Sequence, residues 1–380
     1  VAGPLLGGYF SDHAQILGVA GWRWIFYINI PFAIASLVVT SAVLHIPKVK
    51  REHKIDYLGA VLMVAAVCLV LLSVSIYGPQ NGWTDPRTIG YLAVGLGLTV
   101  AFLMWEKRAV EPILPLHLFK NHTFSITSLL GAVIGAGMFG AIVMLPLYFQ
   151  VVKGYSATEA GLKLIPLMLG IVSTSIVSGK LISKHGHYKR FPIMGTSIMT
   201  VGVLLMTRLQ IDTPYWQISI YAVMVGAGLG LSMQTIVIAL QNAVDFKDMG
   251  VATSSNTFFR SLGSVFGTAM FGSILTNRVV HYMSTGFADL GKSNPAALEG
   301  FDTAKLAELT TNTAALKTFP PLIKDTALEA FVNSFHIVFY AAAPITAIGL
   351  VFALMLRETP LRTSKDYAAA REEAAGESLA

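Results

Sequence analysis

Long apolar runs recur along this whole chain, at residues 22–46, 57–77, 88–105, 124–150, 159–182, 191–210, 215–240, 251–276 and 331–356. Each lies near the ~20 residues that an α-helix needs to cross a bilayer. In hydrocarbon every backbone N–H and C=O must find a partner within the protein, which leaves helices and closed barrels as the only spanning structures. Runs this long, without apolar/polar alternation, are helices. Composition agrees: 54% of the 380 residues are hydrophobic, 13% are charged, and mean hydropathy is +0.63. That balance excludes a water-soluble globular protein of this size and makes the chain an all-α membrane protein whose first requirement is a lipid bilayer.

The remaining charges are sorted by loop. Lys48, Lys50, Arg51 and Lys54 share one loop, Lys107, Arg108 and Lys120 a second, and Lys184, Lys189 and Arg190 a third. Alternate short loops carry little more than Arg87 and Lys153. Lys and Arg stay on the cytoplasmic side, so this asymmetry predicts that loops 47–56, 106–123, 183–190 and 241–250 face the cytoplasm with the C-terminal tail. The net charge of +6 is then a topology signal, and no nucleic-acid partner is expected. Trp22, Trp24, Trp83, Trp105 and Trp216 fall near predicted span ends, where an aromatic belt belongs. Residues 277–330 are expected as one long outer loop, with Pro295, Pro320 and Pro321 breaking short surface helices, and the polar tail after Arg357 is expected to be mobile. Cys68, the single cysteine, lies inside an apolar run and excludes an internal disulfide or a cysteine metal cluster.

The chain opens Val-Ala-Gly-Pro-Leu-Leu-Gly-Gly, without an initiator Met or a capping residue, as if inside a helix already under way. Pro4 cannot donate a backbone hydrogen bond and kinks a helix, while Gly3, Gly7 and Gly8 leave a smooth strip for a neighbouring helix.

Several strings, taken in order, resemble one family. Trp22 to Pro31 reads Trp-Arg-Trp-Ile-Phe-Tyr-Ile-Asn-Ile-Pro, similar to the sixth helix of the fourteen-span drug/proton antiporters of the major facilitator superfamily. Leu145 to Gln150, Gly154-Tyr155-Ser156 and Gly161 to Pro166 resemble that family's turn from ninth to tenth helix. Gln241-Asn242, Gly250 to Thr253, Phe258-Phe259-Arg260, Gly263 and Gly267 continue the likeness, which covers essentially the whole chain. The resemblance implies a major facilitator fold with ten of fourteen transmembrane helices present, the first one partial. Residues 1–46 would close the N-terminal six-helix half, 47–123 hold two linker helices, 124–356 form the C-terminal half, and 357–380 a cytoplasmic tail. It also makes Gly3, Pro4, Gly7 and Gly8 the family's antiporter motif, on a helix thought to help seal the outer end of the pathway. Four helices and part of another would then lie upstream. Gly179, Leu181, Lys184, Gly186, Lys189 and Arg190 follow the superfamily's inner-loop gating motif, although Ser183 stands where the motif carries Asp, so its charge relay is incomplete. A plain basic turn is the competing reading of that loop.

Transport chemistry needs polar groups inside the membrane. A proton antiporter uses an embedded Asp or Glu, and no complete span has one near its centre. Asp56 reads as a helix N-cap, and on the family pattern the coupling carboxylate is expected upstream of residue 1. Arg260 is the exception among charges, about 5 Å from the middle of span 251–276 at the usual rise. A cation there costs about 2.5–3.5 kcal/mol on insertion scales and needs a partner or a wet cavity. Thr253, Asn256, Arg260, Ser264 and Gly267 recur at three- and four-residue spacing, a face expected to look into a central cavity. The alternative is that Arg260 snorkels toward a helix end. Asn29, Tyr148, Gln150 and Gln234 are further cavity candidates, each equally able to bond a neighbouring helix. Met138, Met144, Met168, Met224 and Met233 suit an adaptable pocket or, equally, ordinary core packing.

No enzyme is indicated. His185 and His187 lack a third metal ligand nearby, and Gly226 to Gly230 runs on into membrane helix without the Lys-Ser/Thr of a phosphate loop, so helix packing explains it. No cofactor and no metal are expected. The resemblance implies a secondary transporter of a bacterial cytoplasmic membrane, exporting lipophilic small-molecule drugs in exchange for protons by alternating access, with accessory export proteins unspecified. An exporter of one metabolite, antibiotic or lipid, and a non-transporting sensor or scaffold, remain the alternatives.

Overall fold

The computed structural model describes residues 2–44, 55–295 and 320–362, and they form ten helices in the expected order. These are α1 (Ala2–Asp12), α2 (Gly21–Val43), α3 (Tyr57–Tyr77), α4 (Pro86–Glu106), α5 (His122–Val151), α6 (Ala157–His185), α7 (Arg190–Met206), α8 (Tyr215–Ala243), α9 (Met249–Ser293) and α10 (Pro321–Met355). Eight are long and apolar enough to cross a membrane; α7 is apolar but shorter, with 17 residues, and α1 has 11. The chain is a multi-pass, all-helical membrane protein. The basic residues Lys48, Lys50, Arg51 and Lys54, loop residues 296–319 and the tail beyond Arg362 lie outside the described residues.

Inside the bilayer there is no water to expel between helices, so close packing decides where they meet. Helix α8 shows how the glycines work. Gly226 and Gly230, one turn apart, lie against the α6 backbone at Leu167 and Ile171, while Gly228 on another face lies against Gly195 and Met199 of α7. One glycine run thus seats α8 between two neighbours. Helix α9 meets α5 in the same way, with Gly263 on Ala132, Gly267 on Ala136, and Gly135 of α5 on the Arg260 backbone. The core of α5 to α10 is closed by Tyr148, Phe149, Leu167, Phe271 and Phe335, all buried.

Helices α3 and α4 pack as a pair stapled at both ends. Asp56 caps α3 by accepting from Gly59 N at 2.8 Å, and the same oxygen accepts from Trp105 Nε1 at 2.8 Å. At the other end Ser73 Oγ donates to Thr88 O at 2.8 Å beneath stacked Tyr77 and Tyr91 rings. Residues Ser73–Tyr77 form a π-helical turn in α3.

Three features depart from the sequence reading. A two-stranded hairpin, Gln15–Ile16 with Val19–Ala20, turns at Leu17 and Gly18, both at positive φ, as a tight hairpin turn requires. Residues 277–293 and 321–330, expected within an outer loop, instead continue α9 and α10 as helix. With 45 residues, α9 is ~67 Å long at the usual rise, twice the ~30 Å hydrocarbon core. Its projecting part is held by a buried stripe at four-residue spacing, Leu275, Val279, Met283 and Phe287, packed with Ile323, Ala327, Ala330 and Phe331 of α10. Finally, residues 357–362, expected in a mobile tail, are fixed by hydrogen bonds described below.

A Cβ at Gly263 would collide with the Ala132 carbonyl, whereas Gly250 has open space around it. Gly263→Val is therefore expected to destabilise by about 1–3 kcal/mol, the usual effect of overpacking, while Gly250→Val costs no more than its helix propensity. Thermal unfolding in detergent, followed by size exclusion, reads both; equal midpoints would contradict the α5–α9 packing.

Candidate functional site

The site is built from three places: the α1–α6 junction, the α5–α9 seam, and the α6–α7 and α8–α9 turns tied by the segment beyond α10.

At the junction α1 lies on the start of α6. A Cβ at Gly8 would collide with the Ala157 carbonyl, and one at Gly161 with the Pro4 carbonyl, so the two backbones touch without side chains between them. Gly3 and Gly7 have nothing within 4 Å of where a Cβ would stand. Of the four motif positions, Pro4 and Gly8 make the contact. The chemistry is completed by Asp12, at the last turn of α1. Helix α6 begins with N–H groups that have no partner in their own helix. Ala157 N donates to Asp12 Oδ1 at 2.9 Å and Thr158 N to Oδ2 at 2.7 Å. Glu159 N donates to Ser156 Oγ at 3.1 Å, and Ser156 N to Glu159 Oε2 at 2.9 Å, a capping box. Two of the three first donors of α6 are thus satisfied from a residue 145 positions away. Asp12 lies outside the candidate spans. Partial burial pushes its carboxyl up, but the side chain and amide of Thr158, with Ala157, outweigh this and hold it below its ordinary 3.8. The same end carries Lys153, whose Nζ donates to Ile211 O at 2.6 Å and Thr213 O at 2.7 Å; burial lowers its pKa despite nearby Asp212.

In the α5–α9 seam, within the first turns of both helices, Asn256 is buried and its Nδ2 donates to Thr127 O of α5 at 2.9 Å, beside Gly131. Ser264, also buried, donates to Arg260 O at 2.9 Å. Asn256, Ser264 and Gly267 therefore sit in the seam with α5, where the sequence led us to expect a cavity face. The open polar stripe of α9 is rotated from it: Ser254, Thr257 and Ser261, all exposed, at three- and four-residue spacing. Arg260 lies half-buried between seam and stripe, and among the described residues its guanidinium makes no hydrogen bond. The spacing of Ser254, Thr257 and Ser261 was present in the sequence, but small hydroxyls that can bond their own helix give a weak signal beside an arginine.

The other candidates are dispersed. Tyr148 is buried at the outer end of α5, its hydroxyl donating to Gln210 O at 2.7 Å. Asn29 is exposed on α2 and donates to Ile25 O of its own helix at 2.8 Å. Gln150 and Gln234 are exposed, the latter on α8 well inside a membrane-length helix. Met144 is buried in the core, with Met138, Met168 and Met233 packed against it.

At the inner end Gly186 closes α6 in the left-handed region, φ +77°, where glycine is favoured. Gly179 faces open space, Lys184 and Arg190 are exposed, and Lys189 is half-buried. Glu358, beyond α10, accepts from Tyr188 N at 2.9 Å and Lys189 N at 3.4 Å. A carboxylate from the segment beyond α10 thus ties down this loop, a pairing that sequence spacing does not reveal. The same segment crosses to the α8–α9 turn. Asn242 Nδ2 donates to Pro360 O at 2.7 Å, Arg362 N to Asn242 Oδ1 at 2.8 Å, and Arg362 Nη2 to Val244 O at 2.6 Å. The strap joins the α6–α7 and α8–α9 turns.

Comparison with known proteins gives a consistent result. The family described as Major Facilitator Superfamily matches residues 1–268. An MFS-type transporter of Mycobacterium tuberculosis is 36% identical over 371 residues, 97% of this chain and 51% of that protein. The multidrug transporter protein MdtP of Bacillus subtilis is 32% identical over 383 residues, 96% of this chain and 69% of its own length. A tetracycline resistance determinant of Streptomyces rimosus is 30% identical over 336 residues, 84% and 96% respectively. The chain spans about half the length of the mycobacterial relative.

Asp12→Ala removes the acceptor for Ala157 N and Thr158 N and is expected to lower stability by about 1 kcal/mol, the usual worth of a helix cap. Because the folded carboxyl is held down, its contribution is present above pH 3.8 and drains away only as the pH falls through the lower folded value. The two proteins should differ in unfolding midpoint at neutral pH and converge in strong acid; a gap that persists in acid would contradict the cap.

Proposed function

This chain belongs to the major facilitator superfamily, and from that premise we propose that it works as a secondary transporter exporting lipophilic small molecules in exchange for protons. Within the superfamily we assign it to the fourteen-span drug/proton antiporters, on the ordered strings from Trp22 to Gly267 and on the α3–α4 pair between α2 and α5. Residues 47–123 then act as the linker and 124–356 as the C-terminal half. The basic loops support a cytoplasmic side, in a bacterial cell, for the strap of residues 358–362 and for the C-terminus.

The observation that carries this reading is the α1–α6 junction. A helix contact without intervening side chains, closed by a single side-chain cap, has little to break: when α1 moves away, water replaces Asp12 at the exposed α6 terminus. Such a contact suits a gate that opens and closes in each cycle. Gly3, Pro4, Gly7 and Gly8 serve as the antiporter motif of that gate. Gly179, Lys184, Gly186, Lys189 and Arg190, with Glu358, hold the inner loop. Arg260, Ser254, Thr257, Ser261 and Gln234 are the pathway residues within this half. An intramembrane cation without a protein partner implies a wet cavity or a substrate beside it. Asn29, Tyr148, Gln150 and Asn256 are assigned supporting roles around that pathway.

The test is movement of a lipophilic cation dye into inverted membrane vesicles that carry this chain together with the upstream helices the resemblance implies, energised by a proton gradient. Uptake that stops when the gradient is collapsed is the expected result. No dye movement, with gradient-driven movement of one other compound, would point to a narrow exporter; no movement of any solute, to a sensor or scaffold. Arg260→Gln is expected to slow dye movement by about one to two orders of magnitude, the effect of losing one charged hydrogen bond worth about 1.5–3 kcal/mol. Unchanged transport and coupling in that variant would remove Arg260 from the pathway.

A further inference from the structure

A second cavity, apart from the junction and the polar stripe, runs along the side of α9 that faces the linker pair. Its volume is about 970 Å³, at the upper end of the ~300–1,000 Å³ usual for ligand pockets. Ala132 and Ala136 of α5 and Ile345 of α10 form its floor, Phe266 and Met270 of α9 one wall, and Val74 of α3 the other. Val74 lies in the π-helical turn of α3, an irregularity that recurs at functional sites. A smaller cavity of about 410 Å³ continues toward the inner end between α9 and the linker pair, lined by Met63, Val67, Phe102 and again Phe266. The two share one wall residue and extend an apolar concavity through much of the bilayer depth.

Its polarity is not uniform. From Gly263 to His281 the main cavity follows α9 for ~27 Å at the usual rise. All of the polar α9 residues that line it lie in the outer part: Ser273, Asn277, Arg278 and His281. Trp83, at the outer end of the linker pair, lines the same end, at the level where aromatic residues meet lipid headgroups. Arg278 and His281 are exposed, one turn apart, and no carboxylate lines the cavity. Among the described residues neither side chain makes a hydrogen bond. A fixed positive charge with no counterion among the described residues, at headgroup depth and above an apolar concavity, is complementary to one kind of occupant.

We propose that this cavity is a binding site for an anionic membrane phospholipid, its acyl chain held between α9 and the linker pair and its phosphate set against Arg278, with His281 supplying a ring N–H donor. A zwitterionic lipid has the same tail but brings its own cation to the site and gains less from Arg278. The linker pair thereby acquires a role as the lid of a lipid site on the flank of α9.

The test uses the whole chain in nanodiscs of equal phosphatidylglycerol and phosphatidylcholine with identical acyl chains, followed by mild delipidation and mass analysis of retained lipid. About fivefold retention of phosphatidylglycerol over phosphatidylcholine is expected, in keeping with the modest strength of each basic contact at a membrane surface. Arg278→Gln with His281→Gln should abolish the preference, while Arg208→Gln, an exposed cation at the same end outside the cavity, should preserve it. Val74→Trp, which fills the cavity and leaves the charges in place, should also abolish it. Phosphatidylglycerol with brominated chains should quench Trp83 more strongly than the brominated zwitterionic lipid, with Trp83→Phe as the reference. Equal retention of the two lipids in the unmodified protein overturns the proposal. So does a preference that survives Arg278→Gln with His281→Gln, or one that survives Val74→Trp and therefore belongs to the surface charge alone. None of these readouts involves transport, so failure of the export reading leaves the lipid site standing, and the reverse.

Discussion

The fold depends on one constraint: in lipid, helices gain nothing by hiding apolar side chains from each other, so they associate only where backbones can approach closely. Glycines supply those places. Gly226, Gly228 and Gly230 lock α8 between α6 and α7, Gly135, Gly263 and Gly267 join α5 to α9, and Gly8 with Gly161 seats α1 on α6. The first two sets lie within one block and are backed by a continuous core. The third stands apart from that core and is backed by Asp12. One packing rule thus yields both the contacts within α5 to α10 and the contact of α1 with α6.

Polar interactions are concentrated where water returns. The helix ends carry caps and ties: Asp56 with Trp105, Lys153 with the α7–α8 turn, Glu358 with Tyr188, and Arg362 with Val244. The first of these ties α3 to α4, and the others fix the helix ends and turns of α5 to α10. The Asp12 cap ties α1 to the start of α6 through two hydrogen bonds, beside the close backbone contacts at Gly8 and Gly161.

Much of the fold was legible because membrane insertion writes itself into long windows of hydropathy. Helix order and most span ends follow from apolar runs, and the Asp56 cap and the packing role of Gly226 to Gly230 follow from local chemistry. Features that rest on partners distant in sequence were not legible. The projecting parts of α9 and α10 are too polar for a span search, and their Leu275-Val279-Met283-Phe287 stripe acquires meaning only beside α10. Glu358 and Arg362 act across more than a hundred residues, at Tyr188 and Val244. Asn256 shows the limit on the site itself. A polar residue on a membrane helix faces either a cavity or a neighbour, and its bond to Thr127 O, invisible to periodicity, decides for the neighbour.

The central claim is that the α1–α6 junction is a gate. Spin labels on Tyr9→Cys and Leu162→Cys, both exposed positions on the two helices, with Cys68 replaced by Ala, measure it directly by electron–electron distance in lipid. The account predicts a short and a long distance population whose ratio shifts when a proton gradient or a transported dye is added. One unchanged short distance under every condition would make the junction a fixed structural joint and contradict the account.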